Sequence, residues 1–143
     1  MPNETTVTTP NELEIRVERI FDAPRNHVFS VWTDPELIPE WWGEGTVVEE
    51  MDVRPGGRWR FNTGYGTVEG EFKEVDPPAR LVQTFQNHLQ TLEFEDLGER
   101  TKLTQTMSFA STEERDTTMQ YGVEEGAKGG FARIDAVLAK ITA

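Results

Sequence analysis

The chain has 143 residues, a formal net charge of −12, no cysteine, and 36% hydrophobic residues with 10% aromatics. The length predicts one domain with a single core, and the negative charge repels phosphate backbones and anionic lipid, which argues against nucleic acid or a membrane as partner. Without cysteine there is no disulfide framework, thiolate nucleophile or zinc–thiolate site, and no apolar run approaches the roughly 20 residues of a membrane-spanning helix.

In chain order, Met1 to Pro10 is polar and threonine-rich, with neither the basic start nor the apolar core of a secretory signal. Residues 1–11 are therefore expected to form a flexible arm and residues 12–143 one domain, with a cytoplasmic home. Leu13, Ile15 and Val17 alternate with Glu14, Arg16 and Glu18, which predicts a first strand from Glu12 to Phe21 with one buried face. Ala23-Pro24 opens a helix that carries Val28, Val31 and Trp32 on one side. Asp34-Pro35 repeats that start, and Pro39 keeps the second helix short by removing a backbone donor.

From Thr46 to Phe109 the apolar period is two. Val47, Met51 and Val53 run into the Pro55-Gly56-Gly57 turn, and Trp59, Phe61 and Thr63 return from it, which predicts a hairpin. Gly64-Tyr65-Gly66 makes the next reversal. Val68, Gly70 and Phe72 then share one face of a strand that Asp76-Pro77-Pro78 stops. Leu81–Phe85, Leu92–Phe94 and Leu103–Phe109 supply three more strands, separated at Asn87-His88 and Gly98-Glu99, for a total of six to seven. Connections this short make the sheet antiparallel.

Ser111-Thr112-Glu113-Glu114 is a helix start, a hydroxyl cap followed by acidic residues in the first turn. The remainder to Ala143 is expected to be largely one long helix with an apolar stripe through Met119, Val123, Ala127, Phe131, Ile134, Val137, Leu138 and Ile141. Beside that stripe stand Gly122, Gly126, Gly129 and Gly130, each costing about 1 kcal/mol against alanine in a helix. They allow close approach to the sheet, leave volume for a ligand, mark a bend, or place the helix start after Gly122.

Taken together, Arg19-Ile20-Phe21-Asp22-Ala23-Pro24, Val28-Phe29, Trp32-Thr33-Asp34-Pro35, Trp41-Trp42-Gly43, Asp52-Val53-Arg54-Pro55-Gly56-Gly57-Arg58-Trp59, Asp76-Pro77-Pro78-Ala79-Arg80-Leu81 and the Gly122 to Leu138 helix form an ordered series. In that series the chain resembles the START-like (SRPBCC, helix-grip) superfamily, and within it the branch of activator of Hsp90 ATPase homologue 1-like proteins. The resemblance covers residue 12 to the end. It implies an α+β fold in which a curved antiparallel sheet wraps the long C-terminal helix, with two short helices after the first strand and a cavity between sheet and helix. Members of that branch commonly carry a tryptophan where this chain has Gly126-Ala127-Lys128, and loss of an indole there reshapes the cavity.

The expected cavity candidates are Trp42, Trp59, Phe61, Phe72, Phe85, Phe94, Met107, Met119, Val123 and Phe131, with two glutamines. Gln83 shares parity with Leu81 and Phe85, and Gln105 with Leu103 and Met107. By the same rule Glu49 falls with Val47 and Met51, and Arg19 with Val17 and Phe21. Such inward polar groups require a partner, a water or a ligand, and apolar walls with a few polar anchors are the make-up of a small-molecule pocket.

His27 and His88 read as surface histidines. Two histidines and no cysteine make no metal site, and the glycines form no phosphate-cradling loop, so neither metal nor cofactor is expected. The first reading is thus a binding module for a small, largely apolar molecule. The second is an enzyme like the cyclases and aromatases of the wider superfamily, with Glu49 or Arg19 as cavity acid or base. The third is a co-chaperone that engages Hsp90; the Hsp90 activator also has a separate N-terminal domain, for which this length leaves no room. The resemblance also implies a homodimer, with Trp41-Trp42 as a candidate face.

Overall fold

The structure is a computed structural model that describes residues 4–43, 45–86 and 88–141. Among these, eight strands form one antiparallel sheet in the order β1-β2-β8-β7-β6-β5-β4-β3. They are β1 (Thr6–Asn11), β2 (Glu14–Phe21), β3 (Val47–Met51), β4 (Arg58–Asn62), β5 (Thr67–Asp76), β6 (Arg80–Phe85), β7 (His88–Asp96) and β8 (Thr101–Ser108). The helices are α1 (Arg25–Thr33), α2 (Ile38–Trp42), α3 (Thr112–Gln120) and α4 (Val123–Ile141). The curved sheet and the long last helix are those of the helix grip, with one strand more than the alternation predicts.

The extra strand is β1, where a flexible arm is expected. It pairs with β2 through Thr6 and Glu18, Val7 and Val17, and Thr8 and Arg16, and all its residues except Val7 are exposed. Ladder hydrogen bonds rather than burial hold this edge, so it lacks the alternation that marks a strand in sequence. Met1 to Asn3 lie outside the described residues.

In β2 the alternation is complete, with Ile15, Val17, Arg19 and Phe21 buried. Pro24 caps α1 from outside, and Val28, Phe29, Val31 and Trp32 form its buried face. The Asp34-Pro35 start makes a turn in which the Asp34 carboxylate accepts from the Glu36 backbone N–H at 2.9 Å. The short helix itself starts later, with Pro39 in its first turn where no amide donor is needed. The reversal before β7 includes Gln86, while Asn87 lies outside the described residues.

The long helix of the sequence reading is two helices. Ser111 caps α3 by accepting from the Glu114 amide at 3.2 Å. Gly122 then takes a left-handed φ of +85°, which breaks the helical path and lets α4 begin at Val123. Thr142 and Ala143 lie outside the described residues.

From Phe131 onward α4 packs onto the sheet and the short helices. Phe131, Ile134, Val137 and Leu138 are buried, and Phe131 meets Phe21 edge-on with ring centroids 5.4 Å apart. Three polar ties fix the same half: Arg19 and Asp135 in a two-pronged pair at 2.6 Å, Arg133 Nε to the Trp41 carbonyl at 2.8 Å, and Lys140 to Glu40. No helix among the described residues is long and apolar enough to cross a membrane.

Candidate functional site

Between the sheet and the first half of α4 lies a cavity of about 390 Å³. Two rows of inward side chains form its sheet wall. Gln83, Gln90 and Met107 stand opposite one another across β6, β7 and β8, and Gln105 lies opposite Val17 of β2. Phe85 extends the wall along β6. Trp32 of α1 with Trp41 and Trp42 of α2 close one end, and Val123, Gly126, Ala127, Gly130 and Phe131 of α4 supply the helix side. Several of these, among them Trp42, Gln83, Gln105, Val123 and Ala127, are only partly buried, so the cavity is not sealed.

The α4 glycines are part of its making. A Cβ built on Gly126 meets no atom within 4 Å, so this glycine does not serve a close helix–sheet contact. It leaves space instead. Together with Ala127 and Gly130 it gives the first half of α4 too little side-chain volume to reach the sheet, and the gap is the cavity.

The wall holds no charged side chain among its lining residues, but it is not uniformly apolar. Gln83 Nε2 donates to Gln90 Oε1 at 3.1 Å, and Gln90 Nε2 lies 3.2 Å from His88 Nε2. His88 stands behind Gln90, its ring stacked between Phe85 at 5.4 Å and Phe109 at 4.8 Å. Burial among these rings pushes the imidazole down to about 4, so at neutral pH it is uncharged, and with its proton on Nδ1 its Nε2 accepts the Gln90 N–H. His88 is thus no surface histidine, and His27 is likewise half-buried, on α1. The amide of Gln105 has no hydrogen-bond partner among the described residues.

Of the sequence candidates, Trp42, Gln83, Phe85, Gln105, Met107, Val123 and Phe131 line this cavity. Trp59, Phe61 and Phe72 do not; they fill the adjoining core under the β3–β4 hairpin. A Cβ on Gly70 would run into the Thr84 backbone carbonyl and would also stand 2.7 Å from the Trp59 indole nitrogen, so strand pairing and the packed ring together call for glycine there. Phe94 packs beneath α1, 5.3 Å from Phe29 and 5.8 Å from Trp32. Met119 belongs to α3, before the break at Gly122, and packs at the edge of the core.

The two charged anchors also lie elsewhere. Arg19 does point inward, but it is taken up by Asp135 and by the face of Phe21, 4.6 Å away. Glu49 sits at a β-bulge: the pairing of β3 with β4 shifts between Val48 and Glu50, and Glu49 bonds Arg60 at 2.9 Å on the outside. The cavity acid or base of the enzyme reading is therefore absent from both positions. Trp41 and Trp42 are both only partly buried. Trp41 donates to the Val31 carbonyl at 2.9 Å, and Trp42 stacks on Phe85 at 5.7 Å.

Gln90, Val17, Trp32 and Trp41 join the wall without having been picked from sequence. Gln90 carries the signal that found the other glutamines, since it shares parity with Leu92 and Phe94, but the strand begins four residues before Leu92. Among the described residues no three histidine, aspartate or glutamate side chains gather as metal ligands.

The model of the activator of Hsp90 ATPase homolog 1-like proteins matches residues 22–139, which include every cavity-lining residue except Val17. The chain belongs to that family. A crystal structure of a Rhodobacter sphaeroides protein superposes with a TM-score of 0.86 at 21% identity, over 96% of this chain and 99% of that one. A Mycobacterium smegmatis protein gives 0.85 at 24% identity, over 98% and 99%. A solution structure of an AHSA1-like protein from Aeromonas hydrophila gives 0.70 at 20%, over 87% and 94%. These likenesses carry the fold. An uncharacterised Schizosaccharomyces pombe protein is 31% identical over 75 residues, or 52% of this chain, and the match spans only 21% of that relative's length.

Proposed function

We propose that this domain is a binding module that holds a small, largely apolar molecule between the sheet and the first half of α4. The observation that carries the reading is the cavity itself. At about 390 Å³ it falls in the range of small-molecule pockets, roughly 300–1,000 Å³, and it combines aromatic and aliphatic walls with a few amides. An engineered cavity of about 150 Å³ takes up benzene, so this one has room for two or three fused rings.

The lining offers no carboxylate, imidazole or amine in contact with the space, which favours binding over acid–base chemistry. A thermal-shift screen with uncharged fused-ring compounds tests the reading. Midpoint increases are expected for the natural chain and are expected to vanish in Ala127→Trp, whose indole occupies the space; increases unchanged in the variant would refute it.

A further inference from the structure

We infer that the ligand of this cavity is an uncharged molecule bearing a hydroxyl group, which it donates to the Oε1 of Gln83. The inference rests on the binding reading above and narrows its ligand class. It follows from the direction of the amide relay. Phe85 and Phe109 sandwich His88, whose Nε2 is 3.2 Å from Gln90 Nε2; the amide nitrogen can only donate, so this contact takes the tautomer with the proton on Nδ1 and Nε2 accepting. Gln90 therefore turns its carbonyl oxygen to Gln83 Nε2, 3.1 Å away.

Gln83 has spent one of its two N–H groups on Gln90, and its carbonyl oxygen remains on the cavity wall as an acceptor beside the second N–H. An alcohol or phenol meets that acceptor. A hydroxyl both donates to that oxygen and accepts from the N–H, whereas an ether matches only the N–H and a bare hydrocarbon neither, and an unmatched polar group out of water carries a desolvation cost.

Exclusion of ions has a separate basis. None of the lining side chains is charged; Arg19 is neutralised by Asp135, and Arg133 is an exposed residue whose Nε is held by the Trp41 carbonyl rather than a lining residue. A carboxylate or an ammonium entering the cavity finds no counter-ion, while losing its water. The charged cavity residue needed to hold a fatty acid or an amine is missing from this wall.

The test uses four probes of one shape, namely naphthalene, 2-naphthol, 2-naphthoate and 2-naphthylmethylammonium, titrated calorimetrically into the full chain and into Gln83→Leu. Leucine keeps the volume and removes the acceptor. The expected order is 2-naphthol bound about five- to tenfold more tightly than naphthalene, the worth of one neutral hydrogen bond, with both ions at least about 100-fold weaker than 2-naphthol. In Gln83→Leu the advantage of 2-naphthol over naphthalene should disappear, because 2-naphthol loses its acceptor and naphthalene no longer leaves one unmatched.

An advantage of 2-naphthol that survives Gln83→Leu, or no advantage in the natural chain, overturns the hydroxyl anchor while leaving the cavity reading intact. If the ammonium binds best, the net negative charge rather than the uncharged wall selects the ligand, and the inference fails. Equal or tighter binding of 2-naphthoate overturns it as well. Failure of all four probes removes the binding reading and this inference together.

Discussion

The two halves of α4 meet the same sheet in opposite ways. From Phe131 to Leu138 the helix buries large side chains and is tied by Asp135, Arg133 and Lys140 to β2 and α2. Before Phe131 it offers Val123, Gly126, Ala127 and Gly130, which leave the cavity open beneath them. One continuous helix thus carries an anchor and an overhang. Stability should reside in the first and ligand capacity in the second, and substitutions in the two halves should separate these properties.

The largest effect should come from the anchor. Ile134 is fully buried, and Ile134→Ala should lower the unfolding free energy by about 3 kcal/mol in a denaturant titration, since it removes packed methyl groups and leaves a void. Asp135→Ala should cost about 2 kcal/mol by the same measurement, because the Arg19 side chain, 6% exposed, is left without its carboxylate. In the overhang the sign reverses. Gly126→Ala should raise stability by up to about 1 kcal/mol, as an added methyl meets nothing within 4 Å and the helix gains propensity. A loss of stability there would show that the overhang is packed after all.

The smallest effect concerns pH. The His88 imidazole is held at about 4 by burial, against 6.5 when unfolded. As pH falls below 6.5 the unfolded chain takes up a proton that the folded one refuses, so this contribution to stability is present above pH 6.5 and is lost as pH drops toward 4. In a pH series of thermal midpoints, His88→Gln should fall less steeply than the natural chain across that window. Parallel slopes would place His88 in water.

Which parts of this were readable in the residues follows from what holds each part together. The strands β2, β4 and β8 and the capped start of α3 are fixed by local alternation and by a hydroxyl–amide bond, and both are visible in a short window of sequence. Three features are not local. β1 exists because β2 offers it an edge, with little burial to mark it. Glu49 faces outward because a bulge arises from the pairing of two strands. Trp59 is core rather than pocket wall because its ring packs over Gly70 on the paired strand, a neighbour that sequence parity does not reveal. Within the cavity the parity rule placed Gln83 and Gln105 on the inner face. Its extension to Gln90 needed the true start of β7, and the link to His88 needed the register of β6 on β7.

The central claim, that the overhang of α4 covers a ligand site, is tested most directly by titrating naphthalene into the ¹⁵N-labelled chain and following backbone amide shifts. Saturable changes are predicted around Gln83, Gln90, Gln105 and the Val123–Phe131 segment, with the Ile134–Leu138 anchor little affected. Absence of saturable shifts, or shifts confined to residues outside the cavity wall, would contradict it.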